Sequence, residues 1–528
     1  MIFTSPFWKI PTEFGEIAYS ILRAYNIRYI YRRRTDRRTT RRDFIKASAV
    51  AGAGFLVASG NAFKPARASA LQSVAVAGVG VGGKGAGDIT QAGYYGKVVG
   101  LCDVDYNVLD GKKKEFPDAK AYTDYRELFA EMGDKFDAVT ISTPDHMHAI
   151  ITAAAMKMGK HVYTQKPLVR TIYEARWMQE LAKKTGVCTQ MGNQGSVSDW
   201  LRKTAAQYKA GVIGDISEVH VWTNRPIWAQ GPNRAMTMEK FIEQTKKEET
   251  DEEVVQDLIE EKKGQVAAAL KSVDWESWIG VAPKREFWPG IYHSFQWRGW
   301  WDFGTGALGD MACHNVNMIF KGTDLRNPSS VVATSSGHDF DSFPASSTTT
   351  FEFEPNENRG KIKFVWYDSS QTPPTELTKK YGFNNVDAGG GCFVIGSKGA
   401  GLGGTFHEEG GKEIPWIPED QTEFVIAPID EQGRDDDARH KYEWFQAIWQ
   451  DKPEICWSNF PNHAGPLTET ILLGNLAIWA AANGEGEKVL WDAKNLKVTN
   501  LDQLKTPGVA ELVKPVYHNG YDQVDELF

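Results

Sequence analysis

Apolar and polar positions follow two different patterns along the chain. In the first pattern, short apolar runs follow one another with helix-like segments between them. Strands are predicted there at 73–77, 97–101, 136–141 and 161–163, with helices at 125–132 and 149–158. This alternation is typical of a doubly wound parallel sheet, whose ligands bind beyond the carboxyl ends of the strands.

The second pattern begins after residue 190 and is dominated by strands. They are predicted at 216–222, 330–335, 347–353, 361–366 and 391–395. Together they predict an α+β domain with a large, mostly antiparallel sheet. The expected fold class is therefore α/β, with a doubly wound parallel sheet first and this α+β domain second.

These patterns divide the chain into four predicted regions. They are an N-terminal extension at 1–70, a nucleotide-binding domain at 71–190, an α+β domain at 191–480 and a tail at 481–528. A charged insert at 238–272 mixes both charge signs, which predicts a solvated helix pair. The tail is expected to wrap the core or a partner subunit.

Charge and cysteine content exclude some classes of function. The chain has 528 residues and a net charge of -8, so it lacks the basic field of a nucleic-acid-binding protein. Its five cysteines are widely spaced, with no Cys-x-x-Cys pair. This spacing argues against a disulfide framework and a structural zinc site, and it favours free, buried thiols.

The N-terminal extension has the pattern of an export signal. Arg41-Arg42 is followed by a weakly hydrophobic run at 47–60 and by Ala68-Ser69-Ala70, a small-residue cleavage pattern. We expect recognition by the twin-arginine export machinery, cleavage near Leu71 and a periplasmic or other extracytoplasmic location. The alternative is an arginine-rich arm with a flexible linker. The long segment before the arginines leaves the true start codon open.

A glycine-rich turn follows the first predicted strand. Gly78, Gly80 and Gly83 match G-x-G-x-x-G, in which the third glycine allows close packing of helix and strand. The next helix would direct its N–H groups at a pyrophosphate. Asp103 ends the second strand, where a carboxylate would bind the adenosine ribose and repel a 2′-phosphate, so NAD is favoured over NADP. The alternative for Asp103 is a surface turn residue. The sequence thus predicts an NAD-binding Rossmann domain.

Three further motifs resemble those of the Gfo/Idh/MocA oxidoreductases. Gln165-Lys166-Pro167 resembles the family's Glu-Lys-Pro, Thr143-Pro144-Asp145 with His148 resembles a second motif, and 301–314 resembles a glycine-rich segment that ends in Asp-x-x-x-His. The resemblance covers roughly 71–480. It implies a homo-oligomer that associates through the large sheet. It also implies cofactor contacts from the following residues: Thr143, Pro144, His148, Gln165 and Lys166.

Two positions depart from the family pattern. Gln165 replaces the usual glutamate, which predicts a weaker or neutral cofactor contact. Asn317 stands where many relatives carry an acid.

The candidate catalytic residues are Lys166, Asp310 and His314. Asp310 and His314 are four residues apart, so on a helix both lie on one face. A neighbouring carboxylate would raise the pKa of the imidazole and suit it to general acid/base chemistry near neutral pH. The resemblance places the Lys166 ammonium beside the substrate hydroxyl, where it would stabilise a developing alkoxide. The alternatives are a structural histidine, a helix-surface ion pair and an exposed loop lysine.

Metal and substrate ligands are less specific in the sequence. Asp145, His146 and His148 could hold a metal, but their segment matches the cofactor motif better, so no metal is expected. Aromatic, amide and guanidinium groups suit a polyhydroxylated ring. The candidate substrate contacts, each of which has a core or surface role as its alternative, are Asn193, Arg225, Tyr292, Trp297 and Arg298.

These residues predict hydride transfer from a hydroxyl of a sugar or polyol to NAD. Because twin-arginine substrates cross the membrane folded, we expect NAD to be loaded before export, held tightly and recycled in place. One alternative is an NAD-dependent glycosidase that acts on a glycoside by transient oxidation and elimination. A second is a non-catalytic sugar-binding protein of the same fold, in which Gln165 and Asn317 would mark lost chemistry.

Overall fold

The computed structural model describes residues 73–527. The predicted export signal, including Arg41, Arg42 and the cleavage site near Leu71, lies outside the described residues. Within 73–527, no helix is both long enough and apolar enough to cross a bilayer. The five cysteines, all within this part of the chain, are free and buried, as predicted.

A six-stranded parallel sheet forms the first domain, which confirms the predicted fold class. Its strand order is β3-β2-β1-β4-β5-β6, and β1 pairs with both β2 and β4. The order therefore reverses beside β1, at the position where such sheets bind ligands. The strands are β1 (Ala75–Val79), β2 (Lys97–Cys102), β3 (Lys120–Tyr122), β4 (Ala138–Ile141), β5 (His161–Gln165) and β6 (Thr189–Gly192).

Helices pack on this sheet between the strands. They are α1 (Gly83–Ala92), α2 (Tyr106–Glu115), α3 (Tyr125–Met132), α4 (Asp145–Lys157) and α5 (Ile172–Thr185). Helix α4 begins four residues before the predicted start, directly after Pro144, whose missing backbone N–H has no helical partner to lose at this end of a helix. Asp145 thus lies in the first turn of α4.

A nine-stranded sheet forms the second domain. Its strand order is β13-β12-β11-β7-β10-β9-β8-β14-β15, and all pairs are antiparallel except β7 with β10. This confirms the predicted large, mostly antiparallel sheet. The strands are β7 (Ile216–Thr223), β8 (Ser330–Ser335), β9 (Ser347–Phe353), β10 (Ile362–Tyr367), β11 (Gly390–Gly396), β12 (Gly399–Leu402), β13 (Thr405–His407), β14 (Val489–Asp492) and β15 (Lys497–Val498).

Helices of the second domain cover the sheet and reach the first domain. They are α6 (Asp199–Lys209), α7 (Met238–Glu248), α8 (Glu252–Leu270), α9 (Trp275–Ile279), α10 (Gly306–Asn315), α11 (Asn317–Thr323), α12 (Thr375–Lys379), α13 (Asp436–Gln450) and α14 (Gly465–Ala480). Helix α14 is buried along almost its whole length and packs against β8 and β9. Helices α7 and α8 occupy the predicted charged insert.

The C-terminal segment packs on the cofactor domain. The Tyr517 hydroxyl donates to the Glu174 carboxylate at 2.5 Å, and the Tyr173 N–H donates to the Val513 carbonyl at 3.0 Å. Glu174 and Tyr173, the two residues of the cofactor domain in these hydrogen bonds, both belong to α5. Of the two expectations for the tail, wrapping of the chain's own core is therefore observed, after β14 and β15 have joined the sheet.

Candidate functional site

The glycine turn after β1 packs tightly against the segment that follows β4. Gly80 has a φ of +75°, and a Cβ there would lie 2.7–2.8 Å from backbone atoms of Ser142 and Thr143. Only glycine fits this position. Helix α1 begins at Gly83 without a side-chain cap, so its first N–H groups remain available to a pyrophosphate. The Thr143 hydroxyl is also buried without a hydrogen-bond partner among the described residues. These features fit a bound dinucleotide.

The close-packing glycine is Gly85, not Gly83 as the fingerprint predicted. A Cβ at Gly83 would meet nothing within 4 Å, whereas a Cβ at Gly85 would lie 1.9 Å from the Gly80 carbonyl oxygen. The fingerprint could not resolve this because the turn has additional glycines at Gly82 and Gly85. Gly83 instead supplies a left-handed backbone, with a φ of +50°, at the start of α1.

Asp103 fixes the glycine turn from the end of β2. Its carboxylate accepts hydrogen bonds from the Val81 N–H at 2.8 Å and the Asp105 N–H at 2.9 Å. Burial raises the pKa of Asp103 despite these two donors. The carboxylate lies beside the turn, where a ribose would sit next to the pyrophosphate.

Lys166 and Asp310 come together although 144 residues separate them in the chain. The Lys166 Nζ lies 2.6 Å from Asp310 Oδ1 and 2.9 Å from the Asp310 carbonyl oxygen. Arg298 Nε lies 3.3 Å from the same Oδ1. Burial raises the pKa of Asp310, but the charges of Lys166 and Arg298 outweigh it and hold that pKa below its usual value. We call Lys166, Asp310 and Arg298 the charged cluster.

His314 lies close to this cluster but differs electrostatically from the prediction. Burial and the Lys166 charge lower its pKa to about 3, and the opposing effect of Asp310 is smaller. The expected imidazole with a raised pKa was therefore wrong, because Asp310 is already paired with two cations. Within residues 73–527, no group forms a hydrogen bond with the His314 ring. The ring is neutral and free to accept a hydrogen bond.

Glycines in the 301–314 motif set the position of α10, which carries Asp310 and His314. A Cβ at Gly304 would lie 2.6 Å from the Arg298 Cα, and a Cβ at Gly309 would lie 2.2 Å from the Thr305 hydroxyl oxygen. Glycine at both positions lets the chain approach Arg298 and leaves room for the Thr305 side chain.

Gln165 contacts a buried carboxylate that sequence analysis did not single out. Its Nε2 donates to Asp88 Oδ2 at 2.7 Å, and Ser142 donates to the same oxygen at 2.9 Å. The ammonium groups of Lys441 and Lys84 lie 2.6 and 2.9 Å from Asp88 Oδ1. Asp88 and Lys441 are both fully buried, and the two lysines hold the pKa of Asp88 below its usual value against the effect of burial.

This arrangement explains the departure at Gln165. A glutamate there would place a second carboxylate against Asp88, whereas an amide can donate. The Gln165 Oε1 also accepts from the Lys166 N–H at 3.3 Å, so the same side chain contacts the lysine turn. Only the spacing of Lys84 and Asp88, one helical turn apart, hinted at this network in the sequence.

The His148 side chain connects the segment after β4 to the turn after β5. Its two ring nitrogens lie 2.9 Å from the Pro167 carbonyl oxygen and 2.8 Å from the Thr143 carbonyl oxygen. Burial lowers its pKa to about 4. Both nitrogens face backbone carbonyl oxygens, and the neutral ring can donate to only one of them. His148, predicted to contact the cofactor, therefore positions the turn after Lys166.

The candidate substrate residues fall into two groups. Arg298 belongs to the charged cluster, with its guanidinium carbon 4.2 Å from the ring centre of Trp297 and 4.5 Å from that of Phe295. Trp297 is 8% exposed and Phe295 is 41% exposed, so Phe295 offers the more accessible aromatic surface beside Arg298. Phe295 was not predicted.

The other candidates do not join the charged cluster. Tyr292 is 3% exposed, and its ring centre lies 4.8 Å from that of Trp300 in an aromatic core, so a substrate contact was the wrong prediction. Asn193 is fully buried and donates to the Cys313 carbonyl at 2.6 Å, which positions α10. Arg225 follows β7, and its guanidinium hydrogen-bonds to Asn224.

Asn317 belongs to a neutral buried network. Its amide donates to Ser196 at 3.0 Å, and its Oδ1 lies 2.6 Å from His463 Nε2. Residues 73–527 contain no group of three histidine, cysteine, aspartate or glutamate side chains placed to hold a metal. The His146 Nε2 lies 3.1 Å from the Trp278 carbonyl oxygen.

Two family models match the chain. One describes the oxidoreductase family, NAD-binding Rossmann fold, and matches 72–193; the other describes the C-terminal alpha/beta domain of the same family and matches 258–356. Similar curated proteins include the uncharacterized oxidoreductase YfiI of Bacillus subtilis, 30% identical over 26% of this chain and 39% of its own length. A glycosyl hydrolase family 109 protein of Shewanella pealeana is 28% identical over 33% of this chain and 44% of its own length. The matches thus span less than half of these two relatives.

Among solved structures, an inositol dehydrogenase homolog from Azotobacter vinelandii, complexed with NADH and myo-inositol, is 16% identical with a TM-score of 0.48. That comparison covers 80% of this chain and 98% of the other. The glycine turn, the Asp103 carboxylate and the match to an NAD-binding Rossmann domain agree on NAD as the cofactor. Residues 72–193 are thus similar to the NAD-binding domain of this oxidoreductase family, and residues 258–356 are similar to its C-terminal domain.

Proposed function

We propose that the protein oxidises a hydroxyl group of a sugar or polyol with a tightly held NAD, which is recycled in place when the resulting NADH reduces the carbonyl group of a second sugar. The observation that carries this proposal is the Lys166 ammonium. Two of its three N–H groups are accounted for by the carbonyl and carboxylate oxygens of Asp310. The third remains for a substrate oxygen, beside the glycine turn of an NAD-binding domain.

Each side chain around the substrate oxygen has a separate role. NAD, when bound, supplies the acceptor for the hydride. Lys166 donates a hydrogen bond to the substrate oxygen and stabilises the negative charge that develops there. His314, neutral at physiological pH, accepts a hydrogen bond from the reacting hydroxyl and takes its proton as the hydride leaves. Arg298 and the exposed Phe295 ring provide a hydrogen-bond donor and an apolar surface for the sugar ring.

A screen of sugars, polyols and glycosides tests the proposal. We expect near-ultraviolet absorbance of reduced nicotinamide when the substrate is added. Lys166→Met should abolish turnover and retain NAD binding, whereas Lys263→Met, in the exposed insert, should leave turnover unchanged. Full activity of the Lys166→Met protein would exclude the assignment of Lys166.

Contacts from the second domain support tight retention of NAD. His293 Nε2 lies 2.9 Å from Asp105 Oδ2, next to the ribose-side carboxylate Asp103. The Tyr106 N–H donates to the Ser272 carbonyl at 2.9 Å, and the Asp274 N–H donates to the Val104 carbonyl at 2.9 Å. The chain after α8 therefore crosses the loop after β2. Purified mature protein should carry bound nucleotide, and an empty site would contradict this part.

Location and assembly remain proposals that rest on the sequence. We propose export by the twin-arginine route to an extracytoplasmic space, and assembly into a homo-oligomer through the nine-stranded sheet. Lys substitution of both Arg41 and Arg42 should retain the protein in the cytoplasm. Light scattering of the purified protein should give a multiple of the monomer mass, and a monomer would refute the assembly.

A second candidate function is an NAD-dependent glycosidase. The similarity to a glycosyl hydrolase family 109 protein favours it. Oxidation to a ketone would acidify the neighbouring C–H and permit elimination of the leaving group. Mass analysis of the products from a glycoside separates the two functions, because only the glycosidase releases a free sugar without net oxidation. Binding of sugars without turnover would instead indicate the non-catalytic protein.

A further inference from the structure

Asp145 is a buried carboxyl group that the proposed mechanism does not use. It lies in the first turn of α4 and is 3% exposed. Its Oδ2 accepts a hydrogen bond from the Thr305 hydroxyl at 2.7 Å. Its Oδ1 is buried without a hydrogen-bond partner among the described residues. A buried carboxylate oxygen without a partner is costly, which favours the neutral acid.

Thr305 connects this carboxyl group to the helix that carries Asp310 and His314. Thr305 is the residue before α10, and Gly309 leaves the space that its side chain occupies. Asp145 belongs to the cofactor domain and Thr305 to the second domain. Their hydrogen bond therefore links the cofactor segment 142–148 to α10.

The charged cluster acts on Asp145 from three different elements. Burial raises the pKa of Asp145 to about 7, although Thr305, Arg298 and Lys166 lower it; Asp310 raises it further. His146 and His148, on the same helix, add no charge because burial lowers their pKa values to about 3 and 4.

We propose that Asp145 is a positioning residue that sets the net charge of the charged cluster by gaining or losing a proton under the control of Thr305. This inference rests on the proposed function. Lys166 and Arg298 carry one positive charge each and Asp310 carries one negative charge. The group of four is therefore +1 when Asp145 is protonated and neutral when it is ionised.

The two charge states differ in how they treat a substrate oxygen. An alkoxide developing beside Lys166 is stabilised more by a net positive site than by a neutral one. The rate of hydroxyl oxidation should therefore fall as Asp145 ionises. Because burial lowers the pKa of His314 to about 3, we expect an inflection near neutral pH to come from Asp145.

The pH profile of kcat/KM tests the inference. The wild-type protein should show an inflection near pH 7, and Asp145→Asn should remove it. Thr305→Val should move the inflection upward by about one pH unit, because a hydrogen bond that favours the ionised form is lost. Thr305→Ser, which keeps the hydroxyl, should restore the wild-type profile. An inflection that persists in Asp145→Asn, or one unmoved by Thr305→Val, overturns the inference.

Asp368 provides a matched control. It is also 3% exposed, its pKa is raised to about 7 by burial, and its partner is Ser347 in the nine-stranded sheet. Asp368→Asn should leave the kinetic inflection unchanged. Loss of the inflection in this variant would assign it to general stability and refute a specific role of Asp145.

A readout without turnover separates this inference from the proposed function. Carbon-13 NMR of the aspartate carboxyl groups, compared between wild type and Asp145→Asn, should identify one signal that titrates near pH 7 and moves upward in Thr305→Val. If the titration is present and no sugar is oxidised, the proposed function fails while the coupling of Asp145 to Thr305 stands. If the signal titrates near the ordinary value of an aspartate, the inference fails whatever the activity.

Discussion

Gln165→Glu would test the claim that the amide is matched to Asp88. The substitution replaces an N–H donor with a carboxylate oxygen at 2.7 Å from Asp88 Oδ2. Two unit charges at that distance repel by about 6 kcal/mol at an effective dielectric constant of ~20. Lys84 and Lys441, on the other oxygen of Asp88, reduce this figure without removing it.

Protonation offers the introduced glutamate a less costly state. Keeping a carboxyl group with an ordinary pKa of ~4.3 protonated at pH 7 costs about 3.7 kcal/mol, which is less than the unrelieved repulsion. The protonated acid can then donate to Asp88 as the amide does. The pKa of the introduced carboxyl group would thus be raised in the folded protein, so its destabilising effect is absent below the ordinary pKa and grows as the pH rises. We expect a loss of about 4 kcal/mol at pH 7 and about 1 kcal/mol at pH 5.

Urea unfolding followed by tryptophan fluorescence at the two pH values measures this difference. Gln165→Met is the matched control, because it removes the donor without adding a charge. It should lower the free energy of unfolding by about 1–3 kcal/mol at both pH values. Equal losses for Gln165→Glu at pH 5 and pH 7 would refute the role of Asp88 as the partner that requires an amide.

Three further predictions follow from the geometry of the site. Gly85→Ala should abolish NAD binding in a titration, because its Cβ would lie 1.9 Å from the Gly80 carbonyl oxygen. Gly83→Ala should weaken NAD binding much less, because a Cβ there meets nothing within 4 Å. A larger loss of binding in Gly83→Ala than in Gly85→Ala would contradict the assignment of Gly85 as the close-packing glycine. His293→Ala should speed the release of bound NAD, measured by exchange with labelled nucleotide, since it removes the contact with Asp105; an unchanged rate would show that this contact does not retain the cofactor. His314→Asn should lower kcat and leave any inflection near pH 7 in place, because the pKa of His314 is about 3; disappearance of that inflection would assign it to His314.

The sequence predicted the fold well because local periodicity determines it. The strands of the parallel sheet that were predicted are present, and so are all five predicted strands of the second domain. The short strands β3 and β6 of the parallel sheet and β12 to β15 of the second sheet were missed. Residues 191–192, taken as the opening of the second domain, close the parallel sheet as the end of β6.

The sequence predicted several residues of the candidate site but not their pKa values. The motifs identified Lys166 and Asp310, and Arg298 was among the candidate substrate contacts. The structure brings both cations into contact with Asp310. The pKa of His314 could not be inferred from its spacing to Asp310, because it depends on burial and on Lys166, which is distant in the chain. The burial of Tyr292 could not be predicted either, because an aromatic residue occurs both in a core and at a binding surface. Asp88 with Lys441 gave no signal because the partners are joined only by the tertiary fold.

Contacts between the two domains assemble the site at three separate places. Asp105 meets His293 on the ribose side, Asp145 meets Thr305 at the start of α10, and Lys166 meets Asp310 at the proposed reaction centre. Each pair takes one residue from each domain, so none of the three contacts survives if the domains separate. Opening the domains to release NAD would therefore also separate Lys166 from Asp310.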